Sequence, residues 1–479
     1  MYGDRLSYEA HAAIYSAALI LVFRAAKEFA PFLMGQLSQQ VYRRVVIYCA
    51  GLCVLRKYQT CLGITRQLGG CSHDALTRLL NSTTWTASQL IGICLQTALV
   101  LASGCPGRCW LIVDDVILPK SSSKKMMAAY WDYDYVQDRN IRCLRVVVVC
   151  WTNGLIKIPV AWALWHKEGC AYLKQTRTKF RTKNQLARVL VYWVMRRGLP
   201  FDYLLFDSWY AGVQHLKWYH RHGIRFVTAI KNNRKVRLLW IPKSQRPLVV
   251  RKTTRCWVTS TPHQLASAHP DSRDYHYYPA IDSRTRRWEI TLEGYPAFLS
   301  LVCIKHYATN PAFRDLVTKA EKKQKDPNKY LLTNDTSLTI VQIVEWYRRR
   351  WAVEVLFRDC KQFLGLGAYQ GQTVEAHSRH IGCVFLSYVL TEQMKAYAAP
   401  SLDQAHTLTI GQVKEWLNDQ YLLRAPYTPH AGEAIIGLSR FSESQLLDLL
   451  EETHLLVETE NQPKSTPQHY QYIELKTAA

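Results

Sequence analysis

Acidic residues are scarce in this chain of 479 residues. There are 37 Asp and Glu side chains against 61 Lys and Arg side chains, and the formal net charge at pH 7 is +24. An excess of positive charge of this size favours a polyanionic partner. Nucleic acid is the commonest partner of that kind, and an anionic membrane surface is the second. Charge alone does not choose between the two.

Long apolar runs are also missing. The longest N-terminal run, Ala12 to Phe23, ends at Arg24, and it is much shorter than the roughly 20 residues of a membrane-spanning helix. Acidic residues precede the run and no small-residue cleavage site follows it, so it does not resemble a signal peptide. We therefore expect no membrane partner.

Paired cysteines are nearly absent. Cys105 and Cys109 are four residues apart, but no second pair with zinc-site spacing follows them, which argues against a structural zinc site. Many of the other cysteines, such as Cys49 and Cys53, lie in apolar contexts, which is typical of buried, reduced thiols. Since hydrophobic residues make up 48% of the chain, a large core is expected and global disorder is excluded.

Residues 1–105 have helical periodicity and little alternation. Within them, Thr65 to Leu80 has the pattern of a helix, a Gly-Gly turn and a second helix that Ser72 or His73 begins. A DNA-binding helix-turn-helix has this pattern, and so does ordinary helical packing. DNA binding is the role that we assign to this region as an expectation.

The pattern changes at Cys109, and residues 106–231 predict a mixed α/β unit. The predicted order is three antiparallel strands, a helix, a short strand, a helix and a last strand. The predicted strands are Cys109–Leu118, Cys143–Trp151, Leu155–Leu164, Tyr203–Phe206 and Ile224–Ile230, and the predicted helices are Asn184–Arg197 and Tyr210–His220.

The second half of the chain divides into three further segments. Residues 232–335 contain short β-like stretches between Pro-, Ser- and Arg-rich turns, which predicts a β-rich insertion. Residues 336–400 predict a long helix over Ser337 to Phe363 and a second helix after it. Residues 401–479 predict short helices and a mobile polar tail.

Three acidic residues stand out by their placement. Asp114 lies towards the end of the first strand, Asp207 follows the fourth strand, and Glu354 lies inside the late helix. Carboxylates at the ends of neighbouring strands converge, and a helix packed across them supplies a third. Such a set suits two magnesium ions that activate an attacking oxygen and stabilise a leaving one during phosphodiester cleavage. Each residue alone has a simpler explanation as a cap or a surface charge.

The late helix carries the most specific pattern. Tyr347, Arg350, Glu354 and Lys361 follow one another at intervals of three, four and seven residues, which places them on one helix face. That face presents a carboxylate among cations and a phenol, an arrangement suited to a metal ion with phosphate beside it. Ordinary i,i+4 charge pairing is the alternative explanation.

This four-residue pattern resembles the Tyr-Arg-Glu-Lys signature of a large group of bacterial insertion-sequence transposases in the DDE superfamily. The resemblance implies an α/β fold with a ribonuclease H-like catalytic core, split by the β-rich insertion and flanked by helical N- and C-terminal regions. It also implies that Asp114, Asp207 and Glu354 are the catalytic carboxylates and hold two Mg²⁺ ions, with Mn²⁺ as a substitute. Asp207-Ser208-Trp209-Tyr210 is similar to the family's second motif, in which an aromatic residue follows the Asp by three positions.

The first motif fits less well. The family commonly has Asp-x-Thr where this chain has Asp114-Asp115-Val116. Aligning on the position of the Thr selects Asp114, and Asp115 remains the alternative. Because successive strand residues face opposite sides of a sheet, only one of the two can face the metal ions.

The implied reaction is cut-and-paste transposition on double-stranded DNA. The implied partners are the inverted-repeat ends of a transposon and target DNA, with a homodimer bridging two ends in the cytoplasm, at the nucleoid. Cations near the site are expected to contact phosphates; they are Lys120, Lys231, Arg234, Arg350 and Lys361. A ribonuclease H-like nuclease or resolvase without strand transfer and a domesticated, non-catalytic DNA-binding protein are the alternatives.

Overall fold

The computed structural model describes residues 37–57, 59–68, 71–82, 84–105, 107–120, 125–134, 137–240, 256–269, 271–305, 328–398 and 405–422. The first 36 residues of the region predicted as helical and the polar tail predicted at the end of the chain lie outside these ranges.

The described part of the N-terminal region is helical, as expected. Its helices are α1 (Gln39–Val54), α2 (Cys61–Leu68), α3 (His73–Asn81) and α4 (Ala87–Ser103). Ser72 begins α3, since its side chain accepts a hydrogen bond from the backbone N–H of Ala75. Helices α2 and α3 are therefore the predicted helix pair, whereas a DNA-reading role for them stays a prediction.

Residues 110–229 contain six strands of a mixed sheet. They are β1 (Trp110–Pro119), β2 (Tyr130–Asp134), β3 (Arg139–Thr152), β4 (Lys157–Trp165), β5 (Tyr203–Phe206) and β6 (Phe226–Ala229). Strand β3 pairs antiparallel with β1 and with β4, and β1 pairs parallel with β5, which pairs parallel with β6. The spatial order β4-β3-β1-β5-β6 confirms the ribonuclease H-like core. The short β2 extends the sheet along the first residues of β3.

Three helices connect these strands. They are α5 (Ala171–Thr176), α6 (Lys183–Arg196) and α7 (Val213–Arg221). Thr182 and Gln185 form a capping box at the start of α6. The same helix buries Ala187, Leu190, Val191 and Val194 and leaves its basic face outside.

The region predicted as a β-rich insertion extends the same sheet. Its elements are β7 (Val236–Trp240), β8 (Cys256–Ser260), α8 (Pro262–Ser267), β9 (His276–Tyr278), β10 (Ser283–Ile290), β11 (Leu299–Lys305) and β12 (Lys329–Thr333). Strand β12 pairs antiparallel with β6, and β11, β10 and β9 follow outward from it. A separate two-stranded sheet is formed by β7 and β8.

The remaining helices cover the sheet and bind the N-terminal region to it. They are α9 (Ile340–Arg349), α10 (Trp351–Phe363), α11 (Val374–Ala398) and α12 (Ile410–Leu422). On α11, Arg379 donates to the carbonyls of Trp85 and Leu80 at 2.9 and 2.8 Å. His380 of α11 lies 2.9 Å from the Tyr48 hydroxyl of α1. The helical regions on both sides of the core therefore pack together.

One continuous hydrophobic cluster runs from α1 through the sheet to α12. It includes the strand residues on both sides of Asp114, so the first acidic position lies in a rigid setting. Within the described ranges, no helix combines the length and the apolar character needed to cross a membrane.

Candidate active site

Asp114 and Asp207 lie side by side at the centre of the sheet. The parallel register of β1 and β5 pairs Val113 with Phe206, so the next residues, Asp114 and Asp207, are neighbours and share a sheet face. The Asp207 side chain caps a short 3₁₀ turn by accepting a hydrogen bond from the Trp209 N–H at 2.9 Å. Strand pairing therefore brings together two carboxylates that are far apart in the sequence.

Asp115 has different partners. Its carboxylate pairs with Arg145 and with Lys183, whose Nζ is 3.1 Å away, and it accepts a hydrogen bond of 2.7 Å from the Tyr210 hydroxyl. Burial would raise the pKa of Asp115, but Lys183 and Arg145 hold it below its usual value. Its oxygens are engaged in a charge network that stabilises the strand, which distinguishes it from Asp114.

Arg350 joins the first and third acidic residues. Its guanidinium donates to Asp114 Oδ2 at 2.9 Å and to Glu354 Oε1. The side chain is 15% exposed, and the guanidinium lies 5.9 Å from the ring centre of Tyr347. Glu354, one turn further along the chain, is thereby held on the Asp114 face of the sheet.

The helix that carries this pattern is not continuous. The prediction of one helix over Ser337 to Phe363 is wrong, because α9 ends at Arg349 and α10 begins at Trp351. The Arg350 N–H bonds to the Tyr347 carbonyl, three residues back, which is the tighter 3₁₀ pattern. Arg350 keeps helical dihedral angles, so its contact with Glu354 survives the break.

The electrostatics of the site demand a cation. Burial raises the pKa of Asp114 to about 7, with Arg350 acting in the opposite direction and Asp207 adding to the rise. Burial raises the pKa of Asp207 as well. Crowded carboxylates of this kind ionise together only with positive charge between them, and Arg350 supplies that charge here.

The donor set fits hard divalent cations, which prefer carboxylate oxygens. In the part of the chain that the structure describes, however, no three His, Cys, Asp or Glu side chains are arranged to hold a metal ion. The Arg350 guanidinium lies between Asp114 and Glu354 instead. Metal binding by these carboxylates therefore requires Arg350 to leave them.

The other two signature residues differ in their surroundings. Tyr347 is buried beneath Arg350. Lys361 is exposed in the last turn of α10, near Asp134 of β2. The phenol therefore supports Arg350 from below, while the lysine stays available to a ligand in solution.

Lys120 does not lie where a DNA contact requires it, so its assignment to phosphate binding is wrong. The side chain is 1% exposed and its ammonium group donates to the backbone carbonyls of Gly367 and Tyr369. Those carbonyls belong to the turn after α10 and have no helical donor, so a buried lysine satisfies them. Burial lowers the pKa of Lys120 to about 8.

We expect Lys120→Met to lower the free energy of unfolding by about 1–3 kcal/mol at pH 7, because two buried carbonyls lose their donor. The pKa of Lys120 is about 8 in the folded chain, and about 10.4 is usual for an unfolded lysine. The unfolded chain then binds more protons between these values, so this lysine makes stability rise with pH there.

Denaturant unfolding from pH 7 to pH 10.5 measures both the loss of stability and its pH dependence. The difference in the free energy of unfolding between wild type and variant should widen above about pH 8. The salt dependence of DNA binding should be unchanged. If the variant keeps wild-type stability and its DNA affinity depends less steeply on salt, then Lys120 does contact DNA phosphates.

Two lysines surround an exposed tryptophan beside Asp207. Trp209 is 50% exposed, and the Nζ atoms of Lys183 and Lys231 lie 4.6 and 5.2 Å from its ring centre. Lys231 is exposed and Arg234 is partly exposed on the same loop. The phosphate contacts assigned to Lys231 and Arg234 from the sequence stay a prediction. Trp209 was not singled out there, and the available signal was its position two residues after Asp207.

Comparison with known proteins agrees with this geometry. The family described as DDE superfamily endonuclease matches residues 33–287, which include Asp114 and Asp207. No curated protein matches the chain. Members of this superfamily generally use divalent metal ions, and DNA is their substrate. On the strength of a match over more than half its length, the chain belongs to the DDE superfamily endonuclease family.

Proposed function

We propose that this chain is a cut-and-paste transposase of the bacterial insertion-sequence group with the Tyr-Arg-Glu-Lys signature. It cleaves DNA at the ends of a transposon and joins those ends to target DNA. The observation that carries the proposal is the in-register pair Asp114 and Asp207, with Glu354 joined to the same face through Arg350. The complete signature in α9 and α10 supports the group.

Asp114, Asp207 and Glu354 would hold two Mg²⁺ ions, and Mn²⁺ would substitute for them. When bound, such ions activate an attacking oxygen and stabilise a leaving one. Asp114 is preferred over Asp115 because Arg145, Lys183 and Tyr210 already engage the Asp115 oxygens.

The protein's own cations do the remaining work. Arg350 is released from Asp114 and Glu354 and turns to a DNA phosphate, with Tyr347 beneath it as a support. Lys231, Arg234 and Lys361 lie at the surface, where they contact the DNA backbone without reading its sequence. Arg350 thus exchanges one anionic partner for another.

The reaction has two steps, and each breaks one bond to phosphorus and forms another. In the first, water attacks the phosphorus atom at the transposon end, the bond from phosphorus to the 3′ oxygen breaks, and a 3′ hydroxyl and a 5′ phosphate remain. In the second, that 3′ hydroxyl attacks a phosphodiester of the opposite strand or of target DNA and releases a new 3′ hydroxyl. A homodimer would bridge the two ends in the cytoplasm, at the nucleoid.

The test is a joining assay. The chain, Mg²⁺ and a DNA end already cut at the terminal repeat that flanks the gene are incubated with a circular plasmid. We expect covalent joint molecules, resolved on a denaturing gel. Cleavage of uncut ends without any joint molecule would identify a nuclease or resolvase, and binding without cleavage in any metal would identify a non-catalytic DNA-binding protein.

A further inference from the structure

A groove of about 600 Å³ lies between α6, α7 and the loop before α6, outside the carboxylate cluster. Its cationic side chains come from the loop and α6, and its aromatic side chains come from both helices. The cationic residues are Lys179, Arg181 and Arg188, and the aromatic ones include Tyr192, Trp218 and His222. None of the described residues that line the groove is an Asp or a Glu.

The three cations lack an acidic partner in the part of the chain that the structure describes. Among the described residues, no Asp or Glu lies within ion-pair distance of Lys179, Arg181 or Arg188. Arg188 is half-buried, and it lies close to the half-buried side chain of His215. Burial, with Arg188 nearby, lowers the pKa of His215 to about 4, so Arg188 carries the charge there. A half-buried guanidinium without an acid favours an anionic ligand.

The aromatic wall is open to solvent. Trp218 stacks on His222 with ring centres 3.9 Å apart, and Tyr192 stands edge-on to both at 6.3 and 6.0 Å. Tyr192 is 45% exposed, because the core-facing side of α6 is formed by other residues of that helix. Exposed rings beside cations are a surface on which unpaired bases stack, whatever the base.

The size of the groove and its exposed ring favour a single strand over a duplex. A volume of about 600 Å³ is in the range of a small-ligand site, and a base can stack on Tyr192 only when it has left the stack of a duplex. Lys183, at the start of α6, contacts Asp115 beside the catalytic carboxylates. Arg188 follows it by five residues, which is about 7.5 Å along a helix. Lys183 also lies over Trp209, two residues after Asp207, so the start of α6 is near the carboxylate cluster and the groove lies further along the same helix.

We propose that the α6–α7 groove binds a single, unpaired DNA strand, with its phosphates on Lys179, Arg181 and Arg188 and a base against Tyr192. This inference rests on the proposed function for its substrate, DNA. It adds a second binding site, one that holds a strand separated from its complement.

The test measures binding without catalysis. The full-length chain is titrated, without divalent ions, into fluorescent oligothymidylate and into a hairpin duplex of the same length, and anisotropy is followed over a range of salt. For Arg181→Gln/Arg188→Gln we expect the oligothymidylate affinity to fall about tenfold or more. The slope of log affinity against log salt should become shallower by about 1.4, or about 0.7 for each lost phosphate contact.

Three further variants complete the experiment. Tyr192→Ala should lower oligothymidylate affinity about tenfold through lost stacking, while Tyr192→Phe should retain it. Arg196→Gln removes an exposed charge from the same helix outside the groove and should leave both affinities unchanged. Thermal unfolding confirms that each variant is folded.

Wild-type oligothymidylate affinity in the double variant would overturn the proposal. An equal loss for the duplex and the single strand, or tighter groove-dependent binding of an acidic peptide, would overturn it too. Because no cleavage is measured, a chain that never cuts DNA refutes the proposed transposase while leaving this result intact.

Discussion

The Asp114→Asn variant is expected to lose DNA cleavage by about three orders of magnitude or more, the size of effect seen when a catalytic group is removed, and yet to be no less stable at neutral pH. The carboxylate would be a ligand of the reaction's metal ions, whereas in the metal-free fold its charge is costly. Its pKa is raised to about 7, so the charged form is disfavoured in the folded chain.

The sign of the pH dependence follows from that shift. A carboxyl group with a pKa of 3.8 in the unfolded chain and about 7 in the folded chain makes the fold less stable as pH rises between the two values. The Asn variant lacks this loss. Its stability relative to wild type should therefore rise from about pH 4 to pH 7 and stay level above that, as denaturant unfolding without metal would show.

Asp115→Asn is the matched control. Its carboxylate is 7% exposed and compensates Arg145 and Lys183, which are themselves nearly buried. Removing one partner of a buried ion pair costs about 3–5 kcal/mol, so we expect a large loss of stability. The molecules that remain folded should still cleave DNA. If the Asp115 variant is stable but inactive and the Asp114 variant is active, then Asp115 and not Asp114 is the first catalytic carboxylate.

The second large effect concerns Arg350. In the metal-free fold it neutralises Asp114 and Glu354, so it competes with metal ions for the same oxygens. We expect Arg350→Gln to melt at a lower temperature without metal and to bind Mn²⁺ about tenfold more tightly, since a charge-assisted hydrogen bond contributes about 1.5–3 kcal/mol and tenfold corresponds to about 1.4 kcal/mol. Cleavage should fall, because a phosphate contact is lost.

Calorimetric titration with Mn²⁺ measures this directly. Arg349→Gln is the control, because Arg349 carries the same charge one residue earlier but lies 4.2 Å from the ring centre of Trp110, away from the carboxylates. Weaker Mn²⁺ binding in the Arg350 variant than in the Arg349 variant would show that Arg350 assists metal binding rather than competing with it.

The sequence predicted the parts of the site that depend on local patterns. The apolar run around Asp114 predicts a buried strand, and the short run before Asp207 predicts another, so both placements follow from strand patterns. The i,i+4 spacing of Arg350 and Glu354 likewise predicts their contact.

The parts that depend on distant contacts were missed. Nothing in the sequence around Arg350 breaks a helix, and the interruption lies where Arg350 reaches Asp114 on a distant strand. Lys120 follows a proline and lies near other lysines in the sequence, a pattern typical of a surface residue. In the fold, however, it is buried and donates to the carbonyls of Gly367 and Tyr369, about 250 positions later. The pairing of β6 with β12 also joins strands that are far apart in the sequence. Local periodicity predicts that a strand forms but not which strand it pairs with.

The most direct test of the central claim is the cleavage rate of Glu354→Gln on DNA that carries the terminal repeats, measured in Mg²⁺ beside Glu345→Gln. Glu345 is an exposed glutamate of α9 outside the carboxylate cluster. The structure predicts that Glu354→Gln binds this DNA but does not cut it, while Glu345→Gln cuts at the wild-type rate. Cleavage by Glu354→Gln at the wild-type rate would contradict the assignment of Asp114, Asp207 and Glu354 as the catalytic carboxylates.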